Sequence, residues 1–492
     1  MAAERKENVV LFPFMGQGHI IPFLALALHI EREKGYSVTF INTPLNISKL
    51  RSSLPPNSSI RLLEIPFTSS DHGLPPNSEN TDVLPYHLVV RLLRASTSLK
   101  PAFKKLLQDL IHQHHGHRPL CVIVDIFFGW TINVAKELGL FHAVFSGCSG
   151  FGLACYYSLW LNLPHRKVDS LEFSLPDFEE ASTIHISQLP KNILEADGKD
   201  PWATYLQENL SAWVDSDGIL FNTVEDFDRL GMLYFRRKLD RPVWPIGPVL
   251  LSSESRSSIG KETLVTPELC REWLNSKPTN SVLYVSFGSM NTISTSQMMQ
   301  LALALEGCGK NFIWVVRPPI GFDINSEFKA NEWLPEGFED RMKGSSRGLL
   351  IPKWASQVEI LSHRAVSAFL SHCGWNSTLE ALSHGVPLLG WPMAAEQFFN
   401  VKLLEEEMGV CVEVARGKSC EFRHEELVGK IQLVMDDTEK GNEMRRKASE
   451  VSEMTKNAMK NENGVKGSSI RAIDNLFDAA ARQMENTEGR QS

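Results

Sequence analysis

The segment from His372 to Ser377, HCGWNS, carries side chains that could bind a phosphate group. An apolar run over 366–372 leads into it and a helical pattern follows it, so we expect it where a strand gives way to a helix. The free N–H groups and the dipole of a helix N-terminus favour an anion such as a diphosphate. Gly374 permits close approach of the backbone, and His372, Asn376 and Ser377 can donate hydrogen bonds to phosphate oxygens.

Three further side chains near this segment could hold the rest of a nucleotide. Glu380 lies one helical turn beyond Asn376 and could accept hydrogen bonds from ribose hydroxyls. Trp354 offers a flat face on which a uracil ring can stack, and Gln357 can hydrogen-bond the edge of that ring. The region therefore predicts a nucleoside diphosphate site.

A histidine and an aspartate in the first half of the chain could form a catalytic pair. His19 follows the G-Q-G triplet at 16–18 and opens a predicted helix, and Asp125 ends the apolar run CVIVD. A hydroxyl is a weak nucleophile until a base removes its proton, and a carboxylate behind an imidazole fixes its tautomer. Structural roles stay open at this point, because the chain has 15 histidines and Asp125 could cap the following helix.

Alternating apolar runs and helical segments must position these residues. In the first half, strands are predicted over 9–14, 37–42, 60–65, 121–125, 143–146, 218–223 and 243–247. In the second half, strands are predicted over 281–288, 311–317, 348–352, 366–372 and 386–392. Helices are predicted from His19 to Gly35, over 82–114, 131–139 and 296–309, and in most of the C-terminal region. Short apolar runs separated by helices predict βαβ units and parallel sheets.

The alternation stops in a serine- and charge-rich stretch and then starts again. We predict an α/β chain of two Rossmann-like, doubly wound domains facing a cleft, since ligands bind such sheets at the carboxyl ends of strands. The domains are predicted over 1–247 and 263–465, with a linker over 248–262. A helical tail over 466–492 is predicted to pack back on the first domain.

The stretch from Trp354 to Gln397 resembles the signature box of plant UDP-dependent glycosyltransferases of secondary metabolism. It keeps W-A-x-Q, L-x-H, H-C-G-W-N-S, E, G-V-P and E-Q at the spacings of that family. The runs FPFMGQGHIIP near the start and YVSFGS at 284–289 extend the resemblance over most of the chain. The resemblance implies the GT-B fold, in which 1–247 binds an acceptor and 263–465 binds a UDP-sugar.

The resemblance also assigns a donor site. The UDP-sugar-binding residues would be Gly288, Ser289, Trp354, Ala355, Gln357, His372, Gly374, Trp375, Asn376, Ser377, Glu380, Glu396 and Gln397. In the family a final glutamine goes with glucose, so Gln397 favours UDP-glucose, with UDP-galactose, UDP-rhamnose and UDP-glucuronate as alternatives. Two positions depart from the family: Ser356 replaces a proline, and Glu396 replaces the commoner aspartate.

The same resemblance makes His19 the general base and Asp125 its partner. It implies displacement at the anomeric carbon with inversion, with UDP as the leaving group and with no metal or other cofactor. The acceptor is expected to be a small apolar molecule with a hydroxyl group, such as a flavonoid, a phenol or a terpenoid. Acceptor contacts are predicted at Phe14, Phe127, Phe145, Ser146 and Leu189.

Three other functions fit parts of the sequence. A nicotinamide oxidoreductase would need a third glycine where Ile21 stands, and an acid near 41–43, which reads I-N-T. A metal-dependent glycosyltransferase could use the D-x-D triplet at 215–217, which we interpret as a polar turn before a strand. A non-catalytic sugar-nucleotide-binding protein would need neither His19 nor Asp125.

Composition limits the partners and the location. The net charge is −8, so we expect no nucleic-acid partner. No secretory signal opens the sequence, and the longest apolar stretch, 20–30, is about half of a membrane span. The eight cysteines contain no C-x-x-C pair, which is typical of buried thiols in a reducing compartment. We expect a cytoplasmic monomer, and we interpret its N-x-[ST] triplets, at Asn209 for example, as chance occurrences.

Overall fold

A computed structural model describes residues 7–251, 265–462 and 464–488 of the chain. The predicted linker over 248–262 lies outside the described residues from residue 252 onward. Contacts divide the chain into two compact units. Within the described ranges, the first unit comprises 7–186, 192–251, 457–462 and 464–488, and the second comprises 187–191 and 265–456.

Seven parallel strands form the main sheet of the first unit. Their bounds are β1 Asn8–Phe12, β2 Ser37–Asn42, β3 Arg61–Glu64, β4 Cys121–Asp125, β5 His142–Ser146, β8 Gly218–Phe221 and β9 Val243–Pro245. Their order is β3-β2-β1-β4-β5-β8-β9. The side chains of β4 and β5 are all buried, as expected for parallel strands covered on both faces. A separate antiparallel hairpin joins β6 Glu172–Ser174 and β7 Thr183–His185.

Nine helices accompany these strands in the described part of the chain before residue 252. They are α1 Gln17–Lys34, α2 Pro44–Arg51, α3 Tyr86–Ala95, α4 Lys100–Gln113, α5 Thr131–Leu138, α6 Gly150–Asn162, α7 Lys191–Leu194, α8 Pro201–Ser211 and α9 Arg229–Leu239. The long helical stretch predicted over 82–114 is confirmed, and within it a 3-10 helix over Ser96–Leu99 joins α3 to α4. The predicted stop of α1 is confirmed, since Gly35 adopts a left-handed conformation with φ of 65°.

Six parallel strands form the sheet of the second unit. Their bounds are β10 Val282–Ser286, β11 Asn311–Val316, β12 Gly348–Pro352, β13 Val366–Ser371, β14 Leu388–Gly390 and β15 Cys411–Glu413. Their order is β12-β11-β10-β13-β14-β15. Leu283, Val285, Trp314 and Leu389 lie in the core that this sheet shares with its helices.

Nine α-helices lie in the described residues of the second unit from residue 265 onward. Their bounds are α10 Pro267–Asn275, α11 Thr295–Gly307, α12 Ala330–Trp333, α13 Phe338–Gly344, α14 Gln357–Leu361, α15 Trp375–Ser383, α16 Gln397–Lys402, α17 His424–Met435 and α18 Glu439–Ala458. Ser294 caps α11 with a capping box that includes Gln297. Among the described residues, no helix combines the length and the apolar character needed to cross a membrane.

The last helix packs on the first unit. A short hairpin of β16 Asn461–Glu462 and β17 Val465–Lys466 precedes α19 Ser468–Glu488. The rings of Tyr36 and Phe477 meet edge to face at 5.2 Å, and the Ser469 hydroxyl donates a hydrogen bond to the Gly247 carbonyl. Through these contacts α19 covers the start of β2 and the end of β9.

In each main sheet there is one position where the chain stops adding strands on one side and continues on the other, which reverses the strand order. In the first sheet the reversal lies between β1 and β4, which pair in parallel with Val9 beside Cys121. In the second sheet it lies between β10 and β13. The carboxyl ends of strands at such a reversal are where ligands bind in doubly wound sheets. Each pair of strands is followed by candidate site residues.

Candidate functional site

The histidine and the aspartate predicted in the first half lie side by side. Asp125 is the last residue of β4, and His19 is the third residue of α1, which follows β1. Because β1 and β4 are neighbours, their carboxyl ends bring both side chains together. The His19 Nδ1 atom lies 2.9 Å from Asp125 Oδ2. The His19 side chain is 26% exposed and that of Asp125 is 1% exposed, so the imidazole reaches solvent while the carboxylate stays buried.

The Asp125 carboxylate is held by a second hydrogen bond. Its Oδ1 accepts a hydrogen bond from the Phe127 N–H at 3.1 Å. A buried carboxylate is costly unless it is paired, and here each oxygen has a partner. Since Oδ2 faces Nδ1 of His19, a proton on Nδ1 leaves Nε2 as the basic nitrogen. This arrangement can accept a proton from a hydroxyl and stabilise the imidazolium that results.

Two aromatic side chains flank the imidazole. The ring centroids of Phe14 and Phe127 lie 5.5 Å and 5.2 Å from that of His19. The two phenylalanine rings are also 5.2 Å apart in an edge-to-face arrangement. The structure therefore places these two predicted acceptor residues beside His19. Their faces are apolar, which suits a ring-bearing or aliphatic molecule.

Two other predicted acceptor contacts, Phe145 and Ser146, end the neighbouring strand β5, where Phe145 pairs with Asp125. Phe145 is completely buried and packs on Phe23, with ring centroids 4.9 Å apart, so it belongs to the core beneath α1. Ser146 is also completely buried, and its hydroxyl accepts a hydrogen bond from the Cys148 N–H. The contact of both residues with an acceptor stays a prediction. Leu189 lies in the short segment 187–191, which contacts assign to the second unit.

Buried polar groups that the sequence did not single out fix the loop before His19. The Asn42 side-chain amide, at the end of β2, donates a hydrogen bond to the Pro13 carbonyl at 2.9 Å. The Thr81 N–H donates to the Met15 carbonyl at 3.0 Å. Both residues are buried, so these bonds are shielded from water. In the sequence, the only indication of these hydrogen bonds was an asparagine at the end of a predicted strand.

In the second unit, two glycines make room for His372. Gly288 follows β10 and has a φ of 77°, and a Cβ atom there would lie 2.7 Å from the His372 ring. A Cβ atom on Gly374 would lie 2.5 Å from His372 Nε2. Any larger residue at either position would collide with the imidazole. The loops after β10 and β13 therefore pack together only because both positions are glycine.

His372 is buried, and its imidazole is neutral at physiological pH. Burial, together with the positive charge of Lys418, lowers its pKa to about 4. A neutral imidazole can still donate one hydrogen bond. The helix α15 begins at Trp375, close behind His372, and its first N–H groups favour an anion. The candidate site thus offers hydrogen-bond donors and a helix dipole for a phosphate group.

Gln357 connects the predicted uracil and ribose residues. Its side-chain Nε2 donates hydrogen bonds to Ser377 Oγ at 2.9 Å and to Glu380 Oε2 at 2.6 Å. Its Oε1 accepts a hydrogen bond from the Tyr284 hydroxyl at 3.2 Å. Trp354 lies half-buried three residues earlier. The structure brings Gln357, Ser377 and Glu380 together, while sequence reasoning missed Tyr284, which stands in the apolar run of β10.

Of the three predicted sugar-recognising residues, Glu396 and Gln397 lie at the start of α16 and Trp375 begins α15. Gln397 Oε1 accepts hydrogen bonds from the N–H groups of Met393 and Ala394, both at 3.0 Å. Asn400, which sequence reasoning missed, donates to the Cys373 carbonyl at 2.9 Å and to Glu396 Oε1 at 3.3 Å. Asn400 therefore links the loop of Glu396 to the HCGWNS segment. The remaining residues of the predicted set are Ser289, after β10, Ala355 and Asn376.

Similarity to known proteins decides the family. A UDP-glycosyltransferase of Arabidopsis thaliana, 92A1, is 53% identical over 99% of this chain and 99% of its own length. This chain belongs to the UDP-glycosyltransferase family. A family model described as "UDP-glucoronosyl and UDP-glucosyl transferase" matches residues 234–452 of this UDP-glycosyltransferase.

Two further comparisons agree. Crocetin glucosyltransferase 3 of Crocus sativus is 44% identical to this UDP-glycosyltransferase over 89% of this chain and 92% of its own length. The crystal structure of Glycyrrhiza uralensis UGT73P12, complexed with glycyrrhetinic acid 3-O-monoglucuronide, covers 99% of this chain and 98% of its own. Its TM-score is 0.83 and its sequence identity is 29%. The predicted resemblance to plant UDP-glycosyltransferases and the GT-B fold class are thereby confirmed.

In this UDP-glycosyltransferase the D-x-D triplet at 215–217 has other partners. Asp215 forms an ion pair with Lys136 at 2.8 Å, and Asp217 Oδ2 accepts a hydrogen bond from the His142 N–H at 2.9 Å. The described residues contain no group of three or more histidine, cysteine or carboxylate side chains that could hold a metal ion. The triplet is therefore engaged in the fold of the first unit, and independence from metal remains a prediction.

Proposed function

We propose that this enzyme transfers glucose from UDP-glucose to a hydroxyl group of a small, largely apolar acceptor, with inversion at the anomeric carbon. The observation that carries the proposal is the contact of 2.9 Å between His19 Nδ1 and the buried Asp125 carboxylate. Family membership supplies the reaction class. The flanking rings of Phe14 and Phe127 support an apolar acceptor.

His19 would act as the general base. Its Nε2 would take the proton of the acceptor hydroxyl as the hydroxyl oxygen attacks the anomeric carbon. As that bond forms, the bond from the anomeric carbon to the β-phosphate oxygen breaks, and UDP leaves with the electron pair. Asp125 would stabilise the imidazolium formed at His19. Attack from the face opposite UDP inverts the configuration.

The second unit would stabilise the UDP leaving group. Neutral His372 and the N–H groups at the start of α15 can donate hydrogen bonds to the diphosphate. Donors fixed by folding cost no reorganisation when charge develops on the leaving group. We propose on this basis that no metal ion is needed. Loss of activity in EDTA, restored by a divalent cation, would contradict this part of the proposal.

The assignment of glucose as the donor sugar rests on Gln397 and on the resemblance of the stretch 354–397 to the signature box of the family. The name of Crocetin glucosyltransferase 3 states glucosyl transfer for that relative. UDP-galactose, UDP-rhamnose and UDP-glucuronate are the alternatives for this chain. Action as a cytoplasmic monomer is also part of the proposal.

The test is a mass-spectrometric screen of the purified full chain. UDP-glucose is offered with pooled flavonoids, phenols and terpenoid alcohols, and the His19→Gln variant runs beside the wild type. We expect a product heavier by one hexose with the wild type and a much smaller amount with the variant. The anomeric proton coupling in the NMR spectrum of the product reports inversion. A product formed equally by both proteins would overturn the role of His19.

A pair of phenols separates loss of the base from loss of folding. 4-Methylphenol needs a base to be a good nucleophile, whereas 2,4,5-trichlorophenol is largely ionised in mildly alkaline buffer. The His19→Gln variant should therefore lose turnover of the first phenol and keep much of its turnover of the second. Equal losses on both phenols would contradict the assignment.

A further inference from the structure

One face of α8 and of the turn after it carries three polar side chains four residues apart: Tyr205, Asn209 and Trp213. Side chains at this spacing lie on the same side of a helix. They are 8%, 5% and 1% exposed, respectively. Asn209 opens an N-x-[ST] triplet, but its burial shows that the folded chain uses this amide internally.

All three side chains hydrogen-bond to the loop that follows Asp125. The Tyr205 hydroxyl donates to the Phe127 carbonyl at 2.7 Å. The Asn209 Nδ2 and the Trp213 Nε1 both donate to the Ile126 carbonyl, at 2.7 Å and 3.2 Å.

A backbone N–H group of the loop also donates a hydrogen bond to α8. The Gly129 N–H donates to Asn209 Oδ1 at 2.7 Å. A Cβ atom at Gly129 would lie 2.7 Å from the Asn209 carbonyl oxygen, so the loop backbone packs directly on the helix. Two successive carbonyls and one N–H group between residues 126 and 129 are thus fixed by α8. The loop has little freedom to shift while these bonds last.

This loop sets the position of two parts of the candidate active site. The Phe127 N–H holds Asp125 Oδ1, which turns Oδ2 toward His19. The Phe127 ring lies 5.2 Å from the His19 ring. A movement of the loop would therefore rotate the carboxylate and displace the aromatic ring together. Catalytic groups misplaced by about 1 Å can lose rate by about a hundredfold.

We propose that Tyr205, Asn209 and Trp213 are positioning residues, which hold the loop 126–129 so that Asp125 orients His19 for proton removal. The proposal rests on the roles proposed above for His19 and Asp125. In addition, it assigns a role to α8, which carries neither His19 nor Asp125. Through the backbone carbonyls of the loop, α8 controls the geometry of this pair.

Tyr205→Phe is the sharpest test, because it removes one hydroxyl and leaves the ring. Tyr157→Phe is its matched control. Tyr157 is 1% exposed, and its hydroxyl donates to the Leu210 carbonyl of the same helix at 3.1 Å. Both substitutions delete a buried hydrogen bond between a tyrosine hydroxyl and a carbonyl, but only that of Tyr205 reaches the loop. A general loss of packing would affect the two variants alike.

The assay compares kcat/KM for 4-methylphenol and 2,4,5-trichlorophenol in the full-length variants. We expect Tyr205→Phe to lower turnover of 4-methylphenol about two- to tenfold, the effect of one hydrogen bond, and to spare trichlorophenol. Tyr157→Phe should leave the ratio of the two rates at the wild-type value. Asn209→Ala removes two of the four bonds and should change the ratio further. A wild-type ratio in Tyr205→Phe, or the same change in Tyr157→Phe, would overturn the proposal.

Hydrogen exchange measured by mass spectrometry gives a readout that needs no acceptor. The peptide that contains 126–131 should exchange faster in Tyr205→Phe than in the wild type and in Tyr157→Phe. Unchanged exchange would overturn the inference whatever the activity. Faster exchange in a protein that turns over neither phenol would instead count against the proposed function and leave the attachment of the loop to α8 supported.

Discussion

Replacing Asp125 by asparagine should switch the tautomer of His19. The two oxygens of Asp125 have different partners: Oδ1 accepts from the Phe127 N–H, and Oδ2 faces His19 Nδ1. In the variant, the amide oxygen must stay on the side of Phe127, since an NH₂ group there would face another donor. The NH₂ group must then point at His19. Nδ1 would have to accept a hydrogen bond, so Nε2 would carry the proton.

The size of the effect follows from the loss of a base. With a proton on Nε2, His19 cannot take another from the acceptor at neutral pH. General base catalysis contributes roughly 10²–10⁴ in rate, so kcat for 4-methylphenol should fall by that factor. This loss corresponds to about 2.7–5.4 kcal/mol of transition-state stabilisation. For 2,4,5-trichlorophenol, which is already ionised, the fall should be much smaller.

The assay is release of UDP at saturating UDP-glucose, with the two phenols compared. UDP affinity, measured by calorimetry, should not change, because Asp125 lies in the first unit. Asp217→Asn is the control, since Asp217 is another carboxylate of this unit that accepts a backbone hydrogen bond. The reasoning would be refuted if Asp125→Asn turned over 4-methylphenol near the wild-type rate, or if both phenols slowed equally.

Three further predictions concern other parts of the chain. Gly288→Ala places a Cβ atom 2.7 Å from the ring of His372 at a φ of 77°, and strain of about 1–3 kcal/mol should weaken UDP binding about 5- to 150-fold by calorimetry; an unchanged Kd would contradict this. Burial lowers the pKa of His142 to about 3, so below about pH 6.5 the unfolded chain gains a proton that folded His142 does not. The melting temperature should therefore fall more steeply with acid in the wild type than in His142→Gln, and parallel curves would refute the assignment. Ser356 has a φ of −72°, which proline can adopt, so Ser356→Pro should stabilise the fold by about 0.4–1 kcal/mol; a lower melting temperature would contradict the expectation.

The proximity of His19 and Asp125 could be predicted because it depends on which strands are neighbours, whereas their catalytic roles came from the family resemblance. Apolar runs end just before Asp125 and a few residues before His19. Parallel strands align their carboxyl ends at one edge of a sheet, so residues just after the strands meet if the strands are neighbours. The pairing of β1 with β4 met that condition.

The acceptor residues were harder to predict, for a physical reason. Side chains of a parallel strand are buried on both faces, so its sequence shows no alternation. Nothing in the run HAVFS of β5 distinguishes the face toward α1 from the opposite face. The ring of Phe145 packs on Phe23, and its assignment to the acceptor stays a prediction.

The attachment of the Asp125 loop to α8 was also hidden in the sequence. Tyr205, Asn209 and Trp213 bind backbone groups about 80 residues earlier in the chain. Every residue has a backbone carbonyl, so the sequence of the loop gives no indication of these hydrogen bonds. The break between α3 and α4 left a weak signal, since Pro85 and Pro101 stand where these helices begin.

The position of α19 has a consequence for how the chain folds during synthesis. The first unit is interrupted by 252–456 and is completed only by the C-terminal segment. At about 5–20 residues per second, a ribosome needs roughly 10–45 s to translate the stretch from 252 to 467. During that time Tyr36 and the end of β9 lack the helix that covers them. The nascent first unit would carry an apolar strip that a chaperone can bind, and the last helix would close it only after the second unit has left the ribosome.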